Sequence, residues 1–523
     1  MKKSMIVTLC LMMAAALSSC EKFLTSHPVD FLDPNGYYNN LKSVEAGLMG
    51  IYSPMASRGS GSGAGYTIYG EIVLPLILTT SDLDYYSTSS ATYFASIFNF
   101  TPSDAYVNEY WRALYIGISR ANAFIEAIEP AQISGLSDEY KNVVLGEAYF
   151  LRGFYYWHLA ANFGGVPLRT TYNPELLHVK RASLMETYGQ ILSDMNKADS
   201  MVYEADRLNL PGRVTKTTVQ AMLARVSLYM AGEPLRDTEK YREAAEWARK
   251  VKQSDLHRLN PSYEDVFTRL IQERYDLDYR ESMWEVEFMG ANSPRTNGRW
   301  GMVNGVSCSD PDIGLGSGVI QVSNLMENYY REDANDTRYA WSVCPYVWTG
   351  NPGVKTDRSF GNRPIGKYRK EAILPGTEQT TNHCGTNFPI MRYADVLLVL
   401  AEAANEIDEP DEAMSALNEV RRRAGAQECT HTSEPGKIPL TSKEDFREFI
   451  KKERARELCF EATRRLDLVR WGHLVESVQA MSLIATQSNA RRAGNNIGDR
   501  HKLLPIPSSE MNVNNLMVQN PGW

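Results

Sequence analysis

After Cys20 the sequence of 523 residues has no long apolar run, and no later segment approaches the ~18 uninterrupted apolar residues of a membrane-spanning helix. We therefore predict no transmembrane helix. Basic residues are also outnumbered, because the chain has 55 Lys and Arg against 63 Asp and Glu, which gives a formal net charge of −8. A mildly acidic protein binds polyanions poorly, which argues against a nucleic-acid partner.

Cysteine is scarce too. Of seven cysteines, Cys10 lies in an N-terminal apolar run and Cys20 follows that run. The other five are odd in number and form no C-x-x-C pair, which argues against a disulfide scaffold or a zinc site. A bridge between two of Cys308, Cys344 and Cys384 stays open. We predict no metal and no cofactor.

Common catalytic motifs are missing. Neither H-E-x-x-H nor G-x-S-x-G occurs. Residues 361–367 resemble a phosphate-binding loop, but Tyr368 replaces the Ser or Thr that would hold Mg²⁺. Paired carboxylates for glycoside hydrolysis are a matter of three-dimensional separation, so a glycoside hydrolase remains an alternative.

The N-terminus carries a secretion signal. Lys2 and Lys3 precede an apolar run over residues 5–17, which is too short to span a bilayer. Leu17-Ser-Ser-Cys20 then resembles a bacterial lipobox. We predict a signal peptide over residues 1–19 and a lipid anchor on Cys20, because two or three acyl chains hold a protein firmly on a membrane.

Helical periodicity dominates the rest and predicts a mostly α protein. Ser183 with Glu186, and Thr217 with Gln220, have the spacing of capping boxes at helix starts. Small and large apolar residues alternate in two helix–turn–helix pairs, a pattern typical of tetratricopeptide-like stacking, with a plain bundle as the alternative. The predicted helices are 111–128, 137–162, 217–231 paired with 240–252, and 393–407 paired with 411–424.

Two stretches break this periodicity. Residues 57–102 and 261–388 are rich in Gly, Pro, Asn and aromatic residues, and residues 282–288 alternate like a strand. Loop-rich inserts of this length are commonly functional. The predicted organisation is a signal peptide (1–19), a tether (20–40), an N-terminal helical scaffold (41–260) with the aromatic loop 57–102, a ligand-binding insert (261–388) and a C-terminal helical region (389–523).

Several segments carry a family resemblance. Residues 388–406, 416–425 and 453–472 have the pattern of three signature helices. Residues 146–157 with Gly164-Gly-Val-Pro167, and the ending Leu503-Leu-Pro-Ile-Pro507 followed by Gln519-Asn-Pro-Gly-Trp523, fit the same pattern. In this order, and over essentially the whole chain, the sequence resembles the SusD/RagB family of nutrient-binding outer-membrane lipoproteins.

The resemblance implies a function. SusD-like proteins have no catalytic activity, lie on the outer face of the outer membrane and act with a SusC-like TonB-dependent transporter. They bind a polysaccharide or oligosaccharide, or peptides in the RagB branch. The resemblance thus implies a SusD-like fold and glycan capture, with peptide capture, a glycoside hydrolase or a pure protein-interaction scaffold as alternatives.

Charged residues of the third signature segment are predicted to be structural. Glu448 with Lys452 and Glu461 with Arg465 have the spacing of i,i+4 ion pairs on a helix. Asp336 and Arg338 are expected to form a local salt bridge. A wider charge network is predicted among Arg454, Arg456, Glu457, Arg464 and Asp467.

A pyranose ring has an apolar C–H face, which stacks on aromatic rings while its hydroxyls bind polar side chains. We therefore expect a ligand platform in the two loop-rich stretches, with ordinary packing as the alternative for each ring. Trp284 is predicted to be core, because it alternates with Val286 and Phe288. The candidates are Tyr85, Tyr86 and Tyr93 with Asp82, and Trp300, Trp341 and Trp348 with Arg299.

Overall fold

A computed structural model gives the fold. The residues that it describes are 37–56, 67–88, 91–289, 298–377 and 384–523, except for the side chains of 91–93. The predicted signal peptide and the lipid site at Cys20 lie outside this part of the chain. Within it, no helix is long and apolar enough to cross a bilayer.

Helices form most of the described structure. In chain order the α-helices are α1 (Leu41–Ala56), α2 (Ala105–Ile128), α3 (Asp138–Phe163), α4 (Leu184–Asp199), α5 (Ala205–Leu208), α6 (Lys216–Ala231), α7 (Lys240–Gln253), α8 (Tyr263–Ile271), α9 (Asn324–Arg331), α10 (Arg338–Ser342), α11 (Tyr393–Glu406), α12 (Pro410–Arg423), α13 (Lys443–Leu458), α14 (Arg464–Arg470), α15 (Leu474–Ile484), α16 (Ser488–Asn496) and α17 (Ser508–Val513). Short segments of π- or 3₁₀-helix cover Ile68–Ile72, Leu74–Leu78, Ala91–Ile97, Lys370–Ala372 and Asp499–Lys502.

The predicted helices are confirmed, and α3 shows why its sequence is apolar nearly all round. It packs against α1, α2 and α4, so most of its circumference is buried. The Ser137 side chain caps its start by accepting from the Tyr140 N–H, and Gly164 ends it at φ +78°, where a Cβ would be strained. These local signals set the length of the central helix.

The two helix–turn–helix pairs stack on one another. Helix α6 packs on α7, α11 packs on α12, and α7 packs on α11, so the pairs form one continuous helical layer. Ser183 and Glu186 form the predicted capping box at the start of α4. The second predicted capping box is wrong, because α6 begins one residue after Thr215, which makes no side-chain cap.

Among the described residues the strands are short and paired in four separate two-stranded sheets. They are β1 (Asp84–Tyr86), β2 (Ser282–Val286), β3 (Ile320–Val322), β4 (Tyr346–Thr349), β5 (Val354–Asp357), β6 (Phe388–Arg392), β7 (Cys429–Thr430) and β8 (Ile438–Pro439). The pairs β1–β3, β2–β6 and β4–β5 are antiparallel, and β7–β8 is parallel. The predicted strand over 282–288 is confirmed as β2, where Trp284 is fully buried as expected.

Residues from the N-terminal, middle and C-terminal segments share one hydrophobic core. The five cysteines after Cys20 are buried and free, so Cys308, Cys344 and Cys384 form no disulfide. This settles the possibility that the sequence left open.

A buried charge network centres on Glu457 of α13. Its carboxylate pairs with Arg338 at 2.9 Å, Arg392 at 3.0 Å and Arg423 at 2.5 Å. Burial alone would raise the pKa of Glu457, but the surrounding arginines outweigh it and hold that pKa well below its usual range. Arg338 also pairs with Asp336 at 2.7 Å, as predicted.

The predicted i,i+4 pairs are wrong, and the backbone explains one of them. Helix α13 ends at Leu458, and Phe460 and Ala462 adopt positive φ, so Glu461 and Arg465 do not lie on one helix. Glu461 instead pairs with Lys367 at 2.7 Å. In the other predicted pair, Lys452 forms an ion pair with Glu332, and Glu448 forms one with Lys451.

Candidate ligand-binding site

Four of the predicted aromatic residues belong to the core, and they are Tyr85, Tyr86, Trp300 and Trp341. Tyr85 and Tyr86 lie in β1 and are almost fully buried, and the Tyr85 hydroxyl donates to the Gly361 carbonyl at 2.7 Å. Trp300 is fully buried and donates from Nε1 to the Tyr69 carbonyl at 2.6 Å. The expectation that these rings form an exposed platform is wrong, because none of their faces is open to a ligand.

Asp82 is also structural. It is fully buried, and its two oxygens accept from Nε and Nη2 of Arg464, each at 2.8 Å. A fully buried carboxylate that is held by a bidentate arginine presents no surface to a sugar hydroxyl. The expectation that Asp82 binds ligand is corrected accordingly.

Two candidates are not decided by burial. The side chain of Tyr93 lies outside the described residues. Arg299 is half-buried next to Trp300 and stays a prediction.

Trp348 is the predicted aromatic residue that stays half-exposed, and it lies on the β4–β5 hairpin. Tyr346, which the sequence analysis missed, lies two residues earlier in β4. Side chains two apart in a strand point to the same face, so the two rings meet edge to face with centroids 5.8 Å apart. The alternation Tyr-Val-Trp, with Val347 buried, was the signal that could have identified this pair.

Glu371 fixes both rings. Its Oε1 accepts from the Tyr346 hydroxyl at 2.6 Å, and its Oε2 accepts from Nε1 of Trp348 at 2.5 Å. Partial burial and the Glu371 carboxylate raise the pKa of the Tyr346 hydroxyl, which stays protonated as the donor. The polar tips are thus held inward, and the ring orientations are set before any ligand arrives.

Trp341 supports this arrangement from below. It is buried, and the guanidinium of Arg369 lies 4.3 Å from the centre of its ring. Arg369 reaches Glu371 at 3.8 Å, so a chain of contacts runs from Trp341 to the exposed pair. The predicted role of Trp341 as a stacking residue is therefore wrong, and Trp341 instead packs beneath the exposed pair and supports it.

A second strand and a neighbouring loop anchor the hairpin. Tyr346 pairs with Asp357 and Trp348 with Lys355 in the β4–β5 register. The Trp348 N–H donates to the Ser307 carbonyl at 2.9 Å, and the Gly353 N–H donates to Oδ2 of Asp310 at 2.7 Å. We call Tyr346, Trp348, Lys355 and Glu371 the aromatic hairpin site.

This site offers noncovalent contacts: two oriented ring edges and faces, an exposed ammonium and a carboxylate. Among the described residues, no cluster of three or more His, Cys, Asp or Glu side chains is arranged to hold a metal.

A separate groove of about 510 Å³ lies between α2, the loop after Arg169 and α17. Its polar groups are largely occupied within the protein. Tyr115 donates to the Pro167 carbonyl at 2.8 Å, and Asn122 donates to the carbonyls of Arg169 and Thr171. It therefore offers fewer free hydrogen-bonding groups for a polyol than its size suggests.

Comparison with known proteins places this architecture. A model of the SusD family matches residues 280–523, and a model described as "Starch-binding associating with outer membrane" matches residues 77–228. The chain is 28% identical to SusD-like protein P2 of Formosa agariphila, over 96% of each chain. It is 23% identical to the starch-binding protein SusD of Bacteroides thetaiotaomicron, over 81% of this chain and 80% of that protein.

Solved structures agree. A SusD homolog from Bacteroides thetaiotaomicron superposes with a TM-score of 0.83 at 25% identity, covering 94% of this chain and 98% of the homolog. A laminarin-binding SusD-like protein superposes with a TM-score of 0.70 at 22% identity, covering 93% of this chain and all of that protein. The predicted mostly α, SusD-like fold is confirmed, and the two family models, the relatives and the solved structures together support the SusD/RagB family for this chain.

Proposed function

We propose that this protein is a non-catalytic glycan-binding lipoprotein of the outer membrane. It captures a polysaccharide or oligosaccharide at the cell exterior and delivers it to a SusC-like TonB-dependent transporter. The observation that carries the proposal is the aromatic hairpin site. There, two partly exposed rings of fixed orientation lie beside charged groups on the loop-rich insert.

The physical chemistry of the site suits a sugar. One stacked ring face covers roughly 80 Å² and contributes about 2 kcal/mol at ~25 cal/mol per Å². Two such rings contribute about 4 kcal/mol, which is close to the minimum ~4 kcal/mol that association costs. Hydrogen bonds must supply the net affinity, so single sites bind weakly and a polymer gains by avidity.

Related proteins support the ligand class. Their names include a starch-binding protein SusD, a laminarin-binding SusD-like protein and a surface glycan-binding protein A from Bacteroides fluxus. All three names point to glycans, and two of them specify different ones, starch and laminarin. The shared fold is therefore compatible with many ligands, and the loops of this chain decide its own.

Location and partner follow from the anchor and the family. The lipobox at Cys20 predicts attachment by lipid, and one matching family model carries a description of outer-membrane association. No helix within the described residues is long and apolar enough to cross a membrane. A surface binder of this kind needs a transporter to move what it captures.

Trp348→Ala tests the site. Removing the ring should weaken binding of a cognate glycan about thirtyfold, the equivalent of ~2 kcal/mol, without lowering the melting temperature. Affinity electrophoresis against a glycan panel gives the measurement. Trp247→Ala is the matched control, because Trp247 is a partly exposed tryptophan on α7 that also lies under a lysine, at 3.6 Å from Nζ of Lys250.

Two results would contradict the proposal. Unchanged binding by the Trp348→Ala variant would show that the glycan binds elsewhere. Release of new reducing ends from the panel by the wild-type protein would show hydrolysis and overturn the non-catalytic assignment.

A further inference from the structure

Lys355 covers the aromatic hairpin site. It lies opposite Trp348 on β5, and its Nζ is 4.1 Å from the ring centre of Tyr346 and 5.0 Å from that of Trp348. An ammonium at this distance is attracted by the electrons of an aromatic face, by about 0.5–1 kcal/mol at an exposed position. The cation thus occupies ring surface that a sugar would use.

Lys355 has no carboxylate partner among the residues that the structure describes. The two oxygens of the nearby Glu371 are occupied by Tyr346 and Trp348. Asp357 lies on the same face of the hairpin, opposite Tyr346, but forms no ion pair with Lys355. The exposed ammonium therefore keeps its full capacity to pair with a ligand.

These contacts discriminate between two kinds of sugar. A neutral pyranose that stacks on the rings must displace the ammonium and gains no ionic contact in return. A sugar with an acidic group stacks beside the ammonium and pairs with it through charge-assisted hydrogen bonds, which are the stronger class. The arrangement favours the acidic sugar on both counts.

We propose that the aromatic hairpin site selects acidic glycans, and that Lys355 binds their uronate carboxylate or sulfate ester. This inference rests on the proposed glycan-binding function and adds the ligand's charge to it. Asp357 opposes the selection, because its carboxylate lies on the same face as Lys355. The protein as a whole carries a net charge of −8, so the preference must arise from short-range contact at Lys355.

The test measures charge preference at one site. Full-length protein in mild detergent is titrated with two matched pairs of probes. One pair is a galacturonate tetrasaccharide and its carboxyl-reduced form, and the other is a sulfated galactan tetrasaccharide and its desulfated form. The wild type should bind the acidic member of at least one pair about tenfold more tightly, and salt should reduce that difference. The pair that shows the preference identifies the acidic group.

Variants assign the preference to Lys355. Lys355→Met should weaken binding of the acidic probe about three- to tenfold and abolish the preference for it. Asp357→Asn should strengthen binding of the acidic probe about two- to threefold. Lys250→Met is the matched control, since it removes the lysine over Trp247 on α7, and it should change nothing.

The outcomes separate the inference from the function on which it rests. If the wild type prefers neutral probes, or if the Lys355→Met variant keeps the acid preference, the inference is overturned. Loss of binding in the Trp348→Ala variant would then still support glycan capture at the hairpin. If no probe in a wider glycan panel binds, or if Trp348→Ala binds like the wild type, the proposed site and the inference fail together.

Discussion

Asp82 and Arg464 make the sharpest test of structural against ligand-binding roles. They are 382 residues apart in sequence, yet they form a bidentate ion pair that ties the loop before β1 to the start of α14. Burial lowers the pKa of the Arg464 guanidinium, but Asp82 outweighs burial and raises it. In Asp82→Ala the guanidinium would stay buried without its carboxylate.

The cost can be estimated from the geometry. Breaking a buried ion pair by removing one partner destabilises a protein by about 3–5 kcal/mol, because the remaining charge is uncompensated. Arg464 keeps one bond, from Nη1 to the Lys451 carbonyl at 2.8 Å, so we expect the lower part of that range. For a chain of this length, each kcal/mol lowers the melting temperature by ~1–2 °C, and the variant should melt about 3–8 °C below wild type.

A double variant and a binding assay complete the experiment. Asp82→Ala with Arg464→Met removes both charges, and it should recover part of the lost stability because no unpaired charge remains buried. Glycan affinity, measured well below the melting temperature, should equal that of the wild type in both variants. A wild-type melting temperature together with lost glycan binding in Asp82→Ala would refute the reasoning and return Asp82 to the binding site.

Three further predictions concern the lipid anchor, the transporter and pH. Cys20→Ala should leave a protein body that no longer partitions with membranes, and membrane retention of this variant after a high-salt wash would contradict the lipid anchor. The wild-type protein, extracted in mild detergent, should co-purify with a barrel-sized transporter. Burial raises the pKa of Glu285 to about 7, above the ~4.3 of an unfolded chain, so folding takes up a proton and stability falls as pH rises through this interval. The free energy of unfolding of the Glu285→Gln variant, relative to that of the wild type, should therefore rise by about 3 kcal/mol between pH 4 and pH 8. Urea unfolding at the two pH values measures this difference, and an equal difference at both would contradict the prediction.

Local signals predicted the helices well. The apolar periodicity, the Ser183–Glu186 capping box and the Gly164 stop act within a few residues, and all three are found where they were expected. The i,i+4 pairs failed because they assumed a helix that continues past Leu458. The positive φ of Phe460 and Ala462 ends that geometry, and neither residue type signals it.

Exposure of the candidate binding residues was harder to predict, because burial of a side chain depends on distant contacts. Trp300 is buried through Tyr69, which is 231 residues away, and Tyr85 is held by Gly361, which is 276 residues away. A polar neighbourhood in the sequence does not reveal such contacts. Trp348 was predicted for the same general reason as these residues, but its hairpin neighbours leave one side of it open.

The buried charges and the exposed hairpin have different roles: the charges stabilise the fold, and the hairpin carries the proposed binding site. Glu457 binds three arginines from separate helices and strands, so the third signature segment stabilises the scaffold. The ligand contacts that we propose lie elsewhere, on β4 and β5, where Lys355 and Thr356 make few internal bonds and can change at little cost in stability. In this chain the third signature segment therefore determines the scaffold, and under our proposal the charge and aromatic content of the hairpin determine the ligand.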